Sequence, residues 1–241
     1  MVKIIAHQGF SGRYPGNTEI AFQKALALNV DAVEFDVHLS ADAALIICHD
    51  GDVDRTSDGS GKISQLTLPE IKNLDAGGWF GKEFEKQRFL TLQEALDVLG
   101  TKIRLNIHVK TYEFDREKIT PLIVKELERR NLLRQVFIAS GEETIKLVKK
   151  IQPKLEICNL SRKPENTYIK RSLSVGCYIL QPENIQVNQS FVEEAHRHGM
   201  EVNPFYADDI AEMRRLIQCG VDGILTNYPD VLLRVRKAIS S

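Results

Sequence analysis

The sequence has no excess of charge of either sign. Its 32 Lys and Arg face 33 Asp and Glu, a formal net charge of −1, so nothing in the balance draws the chain to nucleic acid or to an anionic membrane as its main partner. Long apolar runs are missing too. No stretch approaches the roughly 18–20 residues of a spanning helix, so membrane insertion by that route is not expected. The opening "MVKIIAHQGF" has neither a long apolar core nor a small-residue cleavage site, and no secretory signal is read there. Cysteine is scarce and unpatterned: Cys48, Cys158, Cys177 and Cys219 show no CxxC spacing. The first three sit in apolar strand-like runs, which suits reduced core thiols rather than a disulfide framework and points to the cytoplasm. There is neither a low-complexity tract nor a repeat beyond the alternation described next. Homo-oligomerisation stays open on sequence grounds alone.

What is present is a rhythm. Short β-like runs ("KIIA", "DAVEFDV", "KIRLNIHV", "QVFIAS", "LEICNL", "CYILQ", "MEVNPF", "DGILT") are mostly separated by stretches of helical spacing such as "TEIAFQKALAL", "EETIKLVKKI" and "PDVLLRVRKAI". Eight such strands in 241 residues predict an α/β fold, a TIM (β/α)8 barrel, as one domain over 1–241. A further run, "ALIICHD", follows the second strand too closely for a parallel crossover and is expected to turn back as a hairpin. Residues 51–88 break the rhythm with Gly, Asp and Ser, one short helical signal at "LPEIKNL", and the one tryptophan, Trp79. This segment is too long for an ordinary connection. It is expected as a small insertion after the second strand, over the barrel mouth, with Trp79 and Phe80 packed beneath it.

Active sites of such barrels lie at the carboxyl ends of the strands, so polar residues there are the ones to collect. The first strand ends on His7. The second carries Glu34 and Asp36, two apart and therefore on one face. The hairpin returns His49 and Asp50, and "RLNIHVK" carries Asn106, His108 and Lys110 at the same period. A lone strand-end histidine is ordinarily structural, and acidic residues at strand ends often pair with loops. The conjunction is what carries chemistry. Two carboxylates on one face of a strand repel unless a cation or a proton sits between them, and a divalent metal on Glu34, Asp36 and His108 would satisfy that. Histidines flanking it suit general acid and base, and a lysine beside a metal suits a phosphate. His38, His196 and His198 read as exposed strand-end or helix positions.

In order and spacing, "AHQG", "PGNTEIAFQKAL", "VEFDVHLSADAALIICHD", "DRTSDGSG", "LDAGGWFG", "LTLQEAL", "LNIHVK" and "GVDGILTNYPD" resemble the motifs of the glycerophosphodiester phosphodiesterase family: HRG, PENT, ExD, HD, RTT, PTLEE, a strand ending in Glu-x-Lys, and a terminal GVDGIITDxPD. The likeness spans nearly the whole chain and is thin between 112 and 195. It implies a TIM barrel with an insertion after the second strand, and one divalent metal ion, Mg²⁺ or Ca²⁺. The activity implied is hydrolysis of a small-molecule glycerophosphodiester to glycerol phosphate and an alcohol. Matched residue by residue, it implies His7 and His49 as acid and base, Glu34 and Asp36 as metal ligands, and Lys110 near the phosphate, with Asp50 beside His49.

The departures are specific. Gln8 stands where the family has Arg, so a charge-assisted phosphate contact becomes a neutral one, weaker by on the order of 1–3 kcal/mol. Gly16 replaces the Glu of PENT, and Phe205 stands where Trp is usual. His108 takes the place of a third acidic ligand, which shifts preference toward Mn²⁺, Zn²⁺ or Co²⁺. These changes motivate an alternative, an impaired barrel that binds a phosphorylated polyol. A second alternative, a lysophospholipase D-like enzyme, needs an apolar face, for which Trp79 and Phe80 are the candidates.

Overall fold

The structure is a computed structural model, described over residues 1–112, 114–160 and 167–240. Parallel strands buried on both faces read as near-continuous apolar runs, and the eight expected runs all form. They are β1 (Lys3–His7), β2 (Ala32–Leu39), β4 (Arg104–Val109), β5 (Val136–Ser140), β6 (Glu156–Asn159), β7 (Ile179–Leu180), β8 (Glu201–Val202) and β9 (Gly223–Thr226). They pair in the order β8-β7-β6-β5-β4-β2-β1-β9. Every neighbour in that order is parallel. Between β8 and β9 there is no regular ladder, but backbone bonds Asp222 N–Val202 O (3.0 Å), Leu225 N–Pro204 O (2.9 Å) and Ala207 N–Leu225 O (3.1 Å) bring the ends together. The result is a nearly closed TIM barrel.

Helices return between strands: α1 (Glu19–Ala27), α3 (Leu92–Leu99), α4 (Arg116–Arg129), α5 (Glu142–Ile151), α6 (Tyr168–Ser174), α7 (Gln189–Arg197), α8 (Ile210–Gln218) and α9 (Pro229–Ser240). Their starts are written locally. Thr18 caps α1, and Thr91 with Glu94 forms a capping box on α3. The seven-residue α6 buries only Tyr168, Ile169 and Ser172, too short a pattern to stand out in the sequence. No described helix is long and apolar enough to cross a membrane.

Strand alternation divides the interior. Ile4, Ala6, Val33, Phe35, Val37, Leu105 and Ile107 face the helices in the main core. Facing the other way, Ile5, Ala32 and Leu225 pack together, as do Phe137, Ala139, Cys158 and Ile179. On β1 and β2, His7, Glu34 and Asp36 continue that inward set toward the mouth.

The run "ALIICHD" supplies β3 (Leu45–Ile47), antiparallel to β2 with His38 opposite Ile46. After it, residues 51–88 hold α2 (Leu68–Asn73) and two short turns. This segment has its own core, in which Val53, Ile63, Ile71 and Ala76 pack on Ile46, Cys48 and Phe89. Trp79 corrects the expectation of packing, being 42% exposed. Its Nε1 reaches only Ala76 O (3.0 Å), and its ring meets the edge of half-buried Phe80. No disulfide joins the cysteines; Cys48, Cys158 and Cys177 are buried.

Candidate active site

The strand register assembles the site. His7 pairs with Glu34 across β1 and β2, and Asp36 pairs with His108 across β2 and β4. Lys110 follows β4 directly, its N–H bonded to Val37 O (3.0 Å). Cys48 N bonds to Asp36 O (3.2 Å), which brings His49 alongside. His7, Glu34, Asp36, His49, His108 and Lys110 all line one cavity of about 230 Å³. Across from them stand Tyr168, Gln181, Phe205 and Tyr206, with the Tyr206 ring 4.3 Å from that of His7.

Each carboxylate has one oxygen tied down. Gln8 N donates to Glu34 Oε2 (3.1 Å), and Asn17 Nδ2 donates to Asp36 Oδ2 (3.1 Å). The other Asp36 oxygen is buried and makes no hydrogen bond. Near it stand the Lys110 ammonium, with Nζ at 3.1 Å, and the His108 imidazole, with Nδ1 at 3.2 Å. Burial, and next the Asp36 charge, push the Glu34 carboxyl well above its ordinary range. Burial also works to raise Asp36, but the His108 contact and the Lys110 ammonium outweigh it and hold that carboxyl low. Two buried carboxylates of which one resists ionisation fit a divalent cation. Donor atoms of Glu34, Asp36 and His108 all lie within 4.8 Å of one another.

The two other imidazoles differ in their surroundings. Burial pushes His7 down to about 4. Its Nδ1 lies 2.7 Å from Asn227 Oδ1 and its Nε2 lies 3.7 Å from Glu34 Oε2. His49, more exposed, lies with Nδ1 2.7 Å from Asp50 Oδ1, and Arg55 Nε holds Asp50 Oδ2 at 2.6 Å. The Arg55 guanidinium in turn lies 6.0 Å from the Trp79 ring centre, so the insertion steadies the His49 partner.

Gln8 is placed apart from that cavity. With Gly16, Cys48, His49 and Arg55 it lines a small cleft beside it. Its Nε2 lies 3.4 Å from His7 Nε2, and its Oε1 comes within 2.6 Å of the place a Cβ at Gly16 would take. The two departures from the family pattern therefore belong together: Gln8 folds into the room Gly16 leaves.

His38 corrects the expectation of exposure. It is 4% exposed, lies with Nε2 3.2 Å from His49 O, and is pushed to about 4 by burial, because β3 covers the end of β2. His196 is exposed as expected and sits 2.9 Å from Asp222; His198 is exposed as well. Sequence reasoning missed Asn17, although "PGNT" contains it, and also Asp208 and Asn227. These act through partners distant in the chain, which no local spacing reveals.

Fold and cavity together define a TIM-barrel enzyme whose ionisable groups converge at the carboxyl-end mouth. From residue 7 to 231 the chain matches the glycerophosphoryl diester phosphodiesterase family. A glycerophosphodiester phosphodiesterase of Caldanaerobacter subterraneus subsp. tengcongensis is 35% identical over 237 residues, 97% of this chain and 98% of that protein. Another, from Bacillus subtilis, is 31% identical over 254 residues, 97% of this chain and 86% of that one. Among solved structures, an Oleispira antarctica phosphodiesterase in complex with the product sn-glycerol-3-phosphate superposes with a TM-score of 0.90 at 28% identity, covering 99% of this chain and 97% of that one. The chain belongs to this family and is a phosphoric diester hydrolase.

Proposed function

We propose that the enzyme hydrolyses glycerophosphodiesters to glycerol phosphate and an alcohol, with one divalent cation on Glu34, Asp36 and His108 and with His7 and His49 as the acid–base pair. The observation that carries this reading is the convergence of both imidazoles, Lys110 and the carboxylate pair on one cavity. When bound, the cation would supply Lewis-acid stabilisation of charge developing on the phosphate. Every other role falls to the chain. Lys110 meets a phosphate oxygen through its ammonium. One imidazole takes the proton of the nucleophile, which is water or the substrate's own glycerol hydroxyl, and the other returns a proton to the departing alcohol. Asp50, held by Arg55, fixes the direction of the His49 ring. Gln8 supports His7 and leaves phosphate binding to Lys110.

The imidazole at 108 favours Mn²⁺, Zn²⁺ or Co²⁺ over Mg²⁺ or Ca²⁺. The test is release of alcohol from glycerophosphocholine, glycerophosphoethanolamine and glycerophosphoglycerol with each of these metals. Turnover that depends on added metal supports the reading. Absence of turnover with every metal and diester overturns it and leaves the impaired barrel, for which Gln8→Arg with His108→Glu should raise activity from near zero. Exposure of Trp79 favours a second reading, action on lysophospholipids at a lipid surface. It requires liposome binding that disappears in Trp79→Ala/Phe80→Ala.

A further inference from the structure

Behind His7 runs a hydrogen-bonded chain that does not itself touch the cavity's reacting groups other than His7. It begins at Asp208, in the loop between β8 and α8. Asp208 Oδ1 accepts from the Thr226 hydroxyl (3.1 Å) and from Asn227 N–H (2.8 Å), and Asp208 Oδ2 accepts from Asn227 Nδ2 (2.6 Å). An ionised carboxylate only accepts hydrogen bonds. It therefore dictates which way the Asn227 carboxamide points: NH₂ toward Asp208, carbonyl away.

That carbonyl oxygen stands 2.7 Å from His7 Nδ1. It too can only accept, so Nδ1 must carry the hydrogen. A neutral imidazole has one N–H, and its lone pair is then at Nε2, the nitrogen that lies 3.7 Å from Glu34 Oε2. The Ser11 hydroxyl lies 2.7 Å both from Asn227 Oδ1 and from the His7 carbonyl oxygen, and Gly12 N–H donates to Asn227 O (2.8 Å). Gly12 has no room for a side chain there, since a Cβ would stand 2.6 Å from Asn227 O. The loops after the first and last strands are thus joined at Asn227.

We propose that Asp208 and Asn227 are positioning residues that hold His7 as the Nδ1–H tautomer, so that His7 enters the reaction as a proton acceptor through Nε2. The inference rests on the reading of His7 as one of the acid–base pair, and it assigns the open roles within that pair. The proton of the attacking hydroxyl passes to His7 Nε2 while its oxygen forms a new bond to phosphorus. The bond from phosphorus to the departing alcohol breaks, and that oxygen takes its proton from His49. The positive charge gained by His7 then faces the Asn227 carbonyl, with the Asp208 carboxylate behind it. Asn227 also departs from the aspartate of the pattern GVDGIITDxPD. An ionised aspartate at 227 would set two acceptor-only groups against each other at Asp208, so the amide at 227 and the carboxylate at 208 belong together.

Ring-nitrogen NMR of the ¹⁵N-labelled full chain, metal-free at neutral pH and assigned with a His7→Gln variant, reads the tautomer directly. The wild-type protein should show a protonated Nδ1 and an unprotonated Nε2 on His7. Asp208→Asn frees the Asn227 amide to turn, and both tautomers should appear. Its kcat should fall on the order of 10–100-fold, with KM little changed. In Asn227→Asp/Asp208→Asn the carboxylate at 227 accepts from both sides, and the single tautomer and most of kcat should return. A wild-type His7 protonated at Nε2 overturns the proposal, and that spectrum suffices even where a variant does not fold. Asp208→Asn with tautomer and kcat both intact also overturns it. The tautomer is read without metal or substrate, so a chain inactive on every diester would still report on Asp208 and Asn227.

Discussion

At the scale of single residues, Glu34 and Asp36 show what the fold tolerates for the sake of its cavity. Both are almost wholly buried, 3% and 0% exposed, and a buried carboxylate without partners is costly. Asp36 is stabilised by His108, Lys110 and Asn17, whereas Glu34 has one backbone N–H and stays hard to ionise. Asp36→Asn should therefore abolish the heat of metal binding in a calorimetric titration. Loss of Lewis-acid stabilisation worth several kcal/mol would lower kcat on the order of a hundredfold or more. His108→Glu adds a negative oxygen ligand. It should move the ranking of metals, measured as relative turnover, toward Mg²⁺ and Ca²⁺; an unchanged ranking would count against His108 as a ligand.

At the scale of elements, two attachments matter. The segment 51–88 is held by its own small core, and Ile71 is fully buried in it. Ile71→Ala should cost about 2–5 kcal/mol in urea denaturation, and kcat should fall because Arg55, from this segment and beside Trp79, holds Asp50 against His49. The second attachment ties α4 to α3. Arg130, the residue that ends α4, binds Glu126 within that helix and Asp97 on α3, both at 2.5 Å. The hydrogen bond from Arg129 lowers the Glu126 carboxyl below its ordinary 4.5, burial opposes that, and Arg130 adds to it. A carboxyl lowered in the folded state contributes stability that is present above its unfolded pKa and is lost as pH falls through the folded one. Wild type should lose more Tm than Glu126→Gln when the pH is taken from neutral to below 4.5, a difference that thermal melts at several pH values would register.

At the scale of the whole molecule, a cation held as proposed on Glu34, Asp36 and His108 would join β2 to β4, so metal and fold should stabilise each other. Metal at about a hundred times its Kd adds about 2.7 kcal/mol. Chelation should lower Tm in the wild type and leave Asp36→Asn unmoved. Much of this architecture is legible in the order of residues, because strand and helix periods are local: eight apolar runs, the hairpin, and the positions of His7, Glu34, Asp36, His49, His108 and Lys110 on them. The insertion is legible too, from its length and composition. Other features depend on what lies opposite. Burial of His38 follows from the return of β3, exposure of Trp79 from how the insertion settles, and the inward turn of Gln8 from the space at Gly16. The bond between His7 and Asn227 spans 220 residues and exists only because the last strand closes against the first. Sequence alone thus determined which groups reach the mouth, since alternation along a strand assigns faces. Tertiary structure decided which of them touch and which atom carries the proton, since register, barrel closure and donor–acceptor geometry arise between strands and not along them.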